Sequence, residues 1–234
     1  MIFGTILAGG SGTRMQNAVP KQFLPLGNAP ILIRTLRVFL QCDRLDAILV
    51  AVPANRQAET EALIRQYEPD AAVAVVAGGA SRTDTLFALI DEIHRRFGQR
   101  PDDLIVTHDA VRPFITVPML CANIDAAQDG AAGTAIPAVD TIIETLDGQT
   151  VHAIPPRSQM YLMQTPQTFS VDLLCSTFAT LTDDEKARLT DGCGVLVTRG
   201  IPVRLSPGSP SNIKITTPAD YEIAKQMASE SDRT

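Results

Sequence analysis

Residues 7–15 of the chain read LAGGSGTRM, and PKQ follows at 20–22. Three glycines within four positions let a backbone approach a ligand closely, with amides free to point at an anion. Arg14 adds a planar fork of donors and Lys21 a compact ammonium, both suited to phosphate. The loop is not a P-loop, because no Gly-Lys pair occurs in the chain. It is not a dinucleotide fingerprint either, because Thr13-Arg14-Met15 follows Gly12 and the third glycine is missing. A strand end, loop amides and two cations describe a triphosphate cradle built from side chains. The plain alternative is a tight turn after a strand.

Three further stretches could do chemistry. Asp109 ends the run Leu104-Ile105-Val106-Thr107-His108, where an acid at a strand end can hold a hard cation or cap the following turn. Arg112, three residues on, could pair with it. Lys214 sits between Ile213 and Ile215, and strand-like alternation sends its side chain opposite theirs, toward water or a site. Gly78-Gly79-Ala80-Ser81 is a second glycine turn, with Ser81 placed to cap a helix. His108 reads as a packed histidine rather than a catalyst, and any single Lys or Arg taken alone reads as a solvated charge.

The elements that must position these residues follow from periodicity. Phe3–Ala8, Ala47–Val52, Val73–Val76, Leu104–Thr107 and Thr134–Ile136 read as buried strands. Residues 32–40, 57–66, 81–96 and 118–128 carry apolar side chains at helical spacing, and Val171–Thr180 and Asp184–Leu189 also look helical. Such alternation predicts an α/β fold, a mostly parallel sheet with helices on both faces and ligands beyond the strands' carboxyl ends. Val139–Thr145 and Thr150–Ile154, joined across Asp147-Gly148, predict a β-hairpin arm at about 138–160. A lone ribbon is marginal, so it must pack on its parent or on a second subunit. Thr217, with Pro218 and Asp220 after it, opens a last helix. One domain over 1–228 is expected, with a disordered tail at 229–234.

Bulk properties narrow the classes. The 234 residues carry 26 acids against 20 bases, a net charge of −6, which argues against nucleic acid as a partner. The four cysteines, at 42, 121, 175 and 193, show no CxxC spacing, which fits a reducing cytoplasm rather than a disulfide or zinc framework. MIFGTILAGG lacks a basic n-region and reaches glycine too soon for a signal peptide or span, so neither a membrane nor secretion is expected.

LAGGSGTRM followed by PKQFLPLGNAPIL resembles the signature of nucleotidyltransferases that activate sugars and polyols as nucleoside diphosphates. THDAVRPF at 107–114, QTPQTF at 164–169, LTD at 189–191 and NIKITTPAD at 212–220 narrow the resemblance. Together they are similar to the cytidylyltransferases acting on 2-C-methyl-D-erythritol 4-phosphate and on D-ribitol 5-phosphate. Leu7-Ala8-Gly9-Gly10, Val111, Phe114 and Thr190-Asp191-Gly192-Cys193 lean toward the ribitol type. The resemblance implies a Rossmann-like fold, a homodimer joined through the arm, and attack of a small polyol phosphate on CTP. It implies that Arg14, Lys21 and Lys214 act in catalysis, with Leu7, Ala8, Gly9, Gly10, Gly12 and Thr13 beside the triphosphate. Gly79, Ala80, Arg82 and Thr85 would meet cytosine and ribose, and Asp109 would hold Mg²⁺ near the CTP. Arg112, Asp140, Thr141, Arg157, Thr165, Thr190 and Lys214 would meet the polyol phosphate. The methylerythritol acceptor is the nearest alternative, a sugar-1-phosphate nucleotidyltransferase a more distant one. A silent nucleotide-binding scaffold would tolerate loss of the three cations, which are all present.

Overall fold

The computed structural model describes residues 1–9 and 19–232. Its elements run β1 (Ile2–Leu7), β2 (Pro25–Leu26), β3 (Ala29–Pro30), α1 (Ile31–Leu40), β4 (Ala47–Val52), α2 (Gln57–Tyr67), β5 (Val73–Ala77), α3 (Arg82–Phe97) and β6 (Leu104–Asp109). Then come α4 (Val117–Ala126), β7 (Ala131–Pro137), β8 (Tyr161–Ser170), α5 (Val171–Ala179), α6 (Asp183–Ala187), α7 (Gly192–Val197), β9 (Arg204–Pro207) and α8 (Pro218–Ser231). The main sheet has the order β5-β4-β1-β6-β8-β7-β9, and β8 alone runs against its neighbours.

Period-two alternation splits the sheet's side chains between two cores. Phe3, Leu49 and Ile105 pack with Leu86, Leu89 and Ile93 of α3 and with Leu174 of α5. Ile6, Val50 and Val106 pack on the other face with Leu32 and Leu36 of α1 and Leu120 of α4. A third, smaller cluster joins Leu24, Leu26, Val111 and Ile215 to Ala224 and Ala228 of α8.

Chain order places the site. From β1 the chain steps outward to β4 and β5, then returns through α3 to β6 on the other side of β1. The β1–β6 boundary is therefore a topological switch point, and Leu7 lies opposite Asp109 there. No helix among the described residues is long and apolar enough to cross a membrane.

Several expectations change. The arm is not a ribbon: Glu144 and Ala153 form one isolated bridge, and the remainder of 138–156 is irregular. Its turn is tied locally instead, since Asp147 accepts from the amides of Gln149 and Thr150, each at 2.8 Å. The strand expected at 134–136 is longer, and β8 and β9 were not foreseen. Pro166 within β8 and Pro207 at the end of β9 disguise both as loops. Lys214 lies in an irregular extended segment, not a strand. The expected disordered tail is helical through Ser231, and Asp232 binds Arg34 at 2.9 Å.

Candidate active site

A cleft of about 430 Å³ opens at the switch point. The end of β1 supplies Leu7, Ala8 and Gly9, and the short turn before β2 supplies Lys21. The second glycine turn and the start of α3 bring Gly79, Ala80, Arg82 and Thr85; β6 brings Asp109, and Lys214 reaches in from the segment before α8. Ten of the expected site residues therefore line one cavity. Gly10, Gly12, Thr13 and Arg14 lie outside the described residues.

Asp109 is the electrostatic hub. Its Oδ2 lies 2.9 Å from Lys214 Nζ and 3.5 Å from Arg112 Nε, and its Oδ1 lies 3.4 Å from Arg82 Nη2. Burial pushes the carboxyl's pKa up, but the charges of Arg82, Lys214 and Arg112 outweigh it and hold the group far below the usual range. With Lys21 also in the wall, cations outnumber the carboxylate, so a chain of net charge −6 presents a cationic cleft. Such a cleft concentrates polyanions from solution.

The hub is held from behind. Thr165 Oγ accepts from the Asp109 amide at 3.1 Å and lies 2.9 Å from His108 Nδ1. His108 Nε2 lies 3.1 Å from the Arg112 carbonyl. One proton assignment satisfies every contact: Nε2–H donates to that carbonyl, and the Thr165 hydroxyl donates to Nδ1. Burial pushes the His108 pKa down to about 4, so the ring is neutral at pH 7. The histidine is structural, as its sequence context suggests. Thr165, expected to touch the polyol phosphate, is buried and committed to this chain.

The nucleotide-facing wall rests on α3. Ser81 and Asp84 form a capping box, which leaves the positive end of a sixteen-residue helix at the cleft. Thr85 Oγ donates to the Ser81 carbonyl at 2.8 Å and accepts from the Gly79 amide at 3.1 Å, closing the turn. A Cβ on Gly79 would lie 2.8 Å from the Asp84 carbonyl carbon, so close packing requires glycine there. Gly9 differs: among the described residues a Cβ there would meet only Thr85 Oγ, at 3.7 Å. No described residue crowds that position, and its bare backbone lies in the cleft wall.

Other expected residues fall elsewhere. Arg112 is buried beside Asp109, and its Nη1 donates to the Asn212 carbonyl at 2.9 Å. Asp140, Thr141 and Arg157 are exposed on the arm, away from the cleft. Thr190 is exposed just before Asp191, the N-cap of α7. Gln22, Ser81 and Val111 line the cleft without having been singled out as binding residues. Gln22 had a readable signal, its place directly after Lys21; its Nε2 donates to the Ala8 carbonyl at 2.7 Å and ties the two walls.

No group of three or more His, Cys, Asp or Glu side chains that could hold a metal occurs among the described residues. Asp109 offers a single carboxylate, adequate for Mg²⁺ only where phosphate oxygens complete the shell.

Comparison with known proteins agrees with this architecture. The 4-diphosphocytidyl-2C-methyl-D-erythritol synthase of Anaerococcus prevotii is 26% identical, with a TM-score of 0.80 over 97% of this chain and 96% of its own. The 2-C-methyl-D-erythritol 4-phosphate cytidylyltransferase of Thermus thermophilus is 27% identical, with a TM-score of 0.74 over 98% and 100%. That of Francisella tularensis is 26% identical, with a TM-score of 0.78 over 96% and 98%. The sequence model of the family described as 2-C-methyl-D-erythritol 4-phosphate cytidylyltransferase matches residues 2–230. The chain thus belongs to the 2-C-methyl-D-erythritol 4-phosphate cytidylyltransferase family and is a nucleotidyltransferase.

Proposed function

We propose that the protein transfers the cytidylyl group of CTP to 2-C-methyl-D-erythritol 4-phosphate and releases pyrophosphate. The observation that carries this reading is the gathering of Lys21, Arg82, Asp109 and Lys214 in one cleft, in a chain of this family. The acceptor phosphate is ionised at neutral pH, so its oxygen attacks the α-phosphorus without a base. A P–O bond forms there as the bond to the β-phosphate oxygen breaks, and the electron pair leaves on pyrophosphate. The protein must hold two anions in line and stabilise charge in the transition state. In this reading Arg14 and Lys21 grip the triphosphate, Lys214 faces the α-phosphate, and cytosine and ribose occupy the turn at Gly78–Thr85.

Magnesium belongs to the same proposal. Asp109, kept ionised by its cations, would hold the ion together with triphosphate oxygens, and bound there it would neutralise phosphate charge. So does a homodimer, in which the arm of a second copy brings Asp140, Thr141 and Arg157 to the acceptor. Exposed Val139, Leu146, Val151 and Ile154 on that arm support the pairing, since solvated monomers seldom show so many apolar side chains together.

A second reading, with D-ribitol 5-phosphate as acceptor, is favoured by Val111. That position is one of those carrying the ribitol-type sequence details, and it lines the cleft. Pyrophosphate release from CTP, measured with each purified polyol phosphate, separates the two. The proposal expects methylerythritol phosphate to turn over at least about tenfold faster. Preference for ribitol phosphate would replace the first reading with the second, and turnover of neither would overturn both.

A further inference from the structure

The two cleft lysines are far apart in sequence, yet the first turn of α8 bridges the segments that carry them. On one side, Asp220 Oδ2 accepts from the amides of Thr216 at 2.9 Å and Thr217 at 2.8 Å. These amides lie two and three residues beyond Lys214. Thr216 Oγ donates back to the Lys214 carbonyl at 3.2 Å, and the Ile215 amide donates to the Val111 carbonyl at 2.9 Å. The lysine's backbone is thereby fixed at consecutive residues. On the other side, the Tyr221 hydroxyl donates to the Pro25 carbonyl, just past the turn bearing Lys21. Leu24 and Ile215 then close against Ala224 of α8 in the third apolar cluster.

The charge of Asp220 serves the same geometry. Burial raises its pKa, but the bonds from Thr217 and Thr216 and the charge of Lys21 outweigh that and hold the carboxyl below its ordinary value. Lys21 is 8% exposed and lies in the cleft wall. Asp220 does not line the cleft. It fulfils its N3 capping role for α8 with the same oxygen that pins the Lys214 segment.

We propose that Asp220 is a positioning residue for the triphosphate site, holding the Lys214 segment by its amides so that the lysine's ammonium meets the nucleotide's phosphates. The proposal rests on the reading of CTP as substrate. Its consequence is selective: interactions with the nucleotide's phosphates should suffer, whereas base and ribose recognition at α3 should not.

The test is calorimetric titration of the full chain with CTP and with cytidine, for wild type, D220N, K214A and D220N/K214A. D220N keeps one acceptor for the two amides and removes the charge, and its melting midpoint checks the fold. Wild type should bind CTP more tightly than cytidine. D220N should weaken CTP by about tenfold or more, leave cytidine within about twofold, and add less than about twofold once Lys214 is gone. Equal weakening of CTP and cytidine, or an unchanged CTP affinity, would overturn the positioning role while leaving the CTP reading in place. Failure of wild type to bind CTP would overturn both. If D220N proves unfolded, D220E, which keeps the charge on a longer arm, takes its place; the role then requires CTP affinity to fall while cytidine affinity holds.

Discussion

Lys214 illustrates how one side chain can be removed without orphaning its partner. Its ammonium lies 2.9 Å from Asp109 Oδ2, half exposed, in the wall of the cleft. Replacing it with alanine leaves Asp109 compensated by Arg82 and Arg112, so no buried charge is orphaned. Lys214→Ala should therefore melt close to wild type, while kcat falls by about 10²- to 10³-fold, the usual loss for one transition-state donor. Steady-state assays beside a thermal melt measure both, and near-normal turnover would remove Lys214 from the chemistry. At this scale most of the site was legible, because glycines, cations and an acid at strand ends have few other uses in combination. Thr165 lands elsewhere than expected for a physical reason. Its hydroxyl is equally suited to a phosphate or to a neighbouring imidazole, and only the pairing of β6 with β8 brings His108 within reach.

The element that departs furthest from expectation is the arm. Asp147-Gly148 does turn, with Gly148 at φ 72°, but the flanks extend without pairing beyond one bridge. Two short runs have too few cross-strand contacts to stay zipped in water, and their apolar side chains Val139, Leu146, Val151 and Ile154 stay exposed. A second copy would cover them. Light scattering should give a molar mass near twice the 25.1 kDa of one chain. A double change of Leu146→Asp and Val151→Asp should shift it to one chain without lowering the melting midpoint of the body. A wild-type mass of one chain would count against the arm as an interface. The hidden strands tell the complementary story: β8 is central in the sheet, yet Pro166 and its threonine and glutamine neighbours mask its periodicity. Some of β8's polar groups bond inward: the Pro166 carbonyl accepts from Thr134 Oγ of β7 at 2.8 Å, and Thr168 Oγ donates to Asn123 at 2.6 Å.

For the whole molecule, the His108 chain links the site to acid stability. His108 has a lowered folded-state pKa, so between its ordinary 6.5 and about 4 the unfolded chain binds the extra proton. Its contribution is complete above about pH 6.5 and is lost as pH falls through that window, amounting to something on the order of 3 kcal/mol. Asp109, also lowered, adds its loss only below its ordinary 3.8. Denaturation midpoints recorded from pH 7 to pH 4 should fall for wild type and stay flatter for His108→Gln; parallel slopes would show the ring is not the sensor. The sequence by itself determined the nucleotidyltransferase class, the sheet-and-helix class and most residues that line the cleft, because local spacing encodes strands, caps and glycine turns. Tertiary structure alone decided the rest, namely the switch point that sets Leu7 opposite Asp109, the burial that neutralises His108, and the bridge of α8 between Lys21 and Lys214. Those depend on which distant segments pack together, and no local pattern of residues carries that distance.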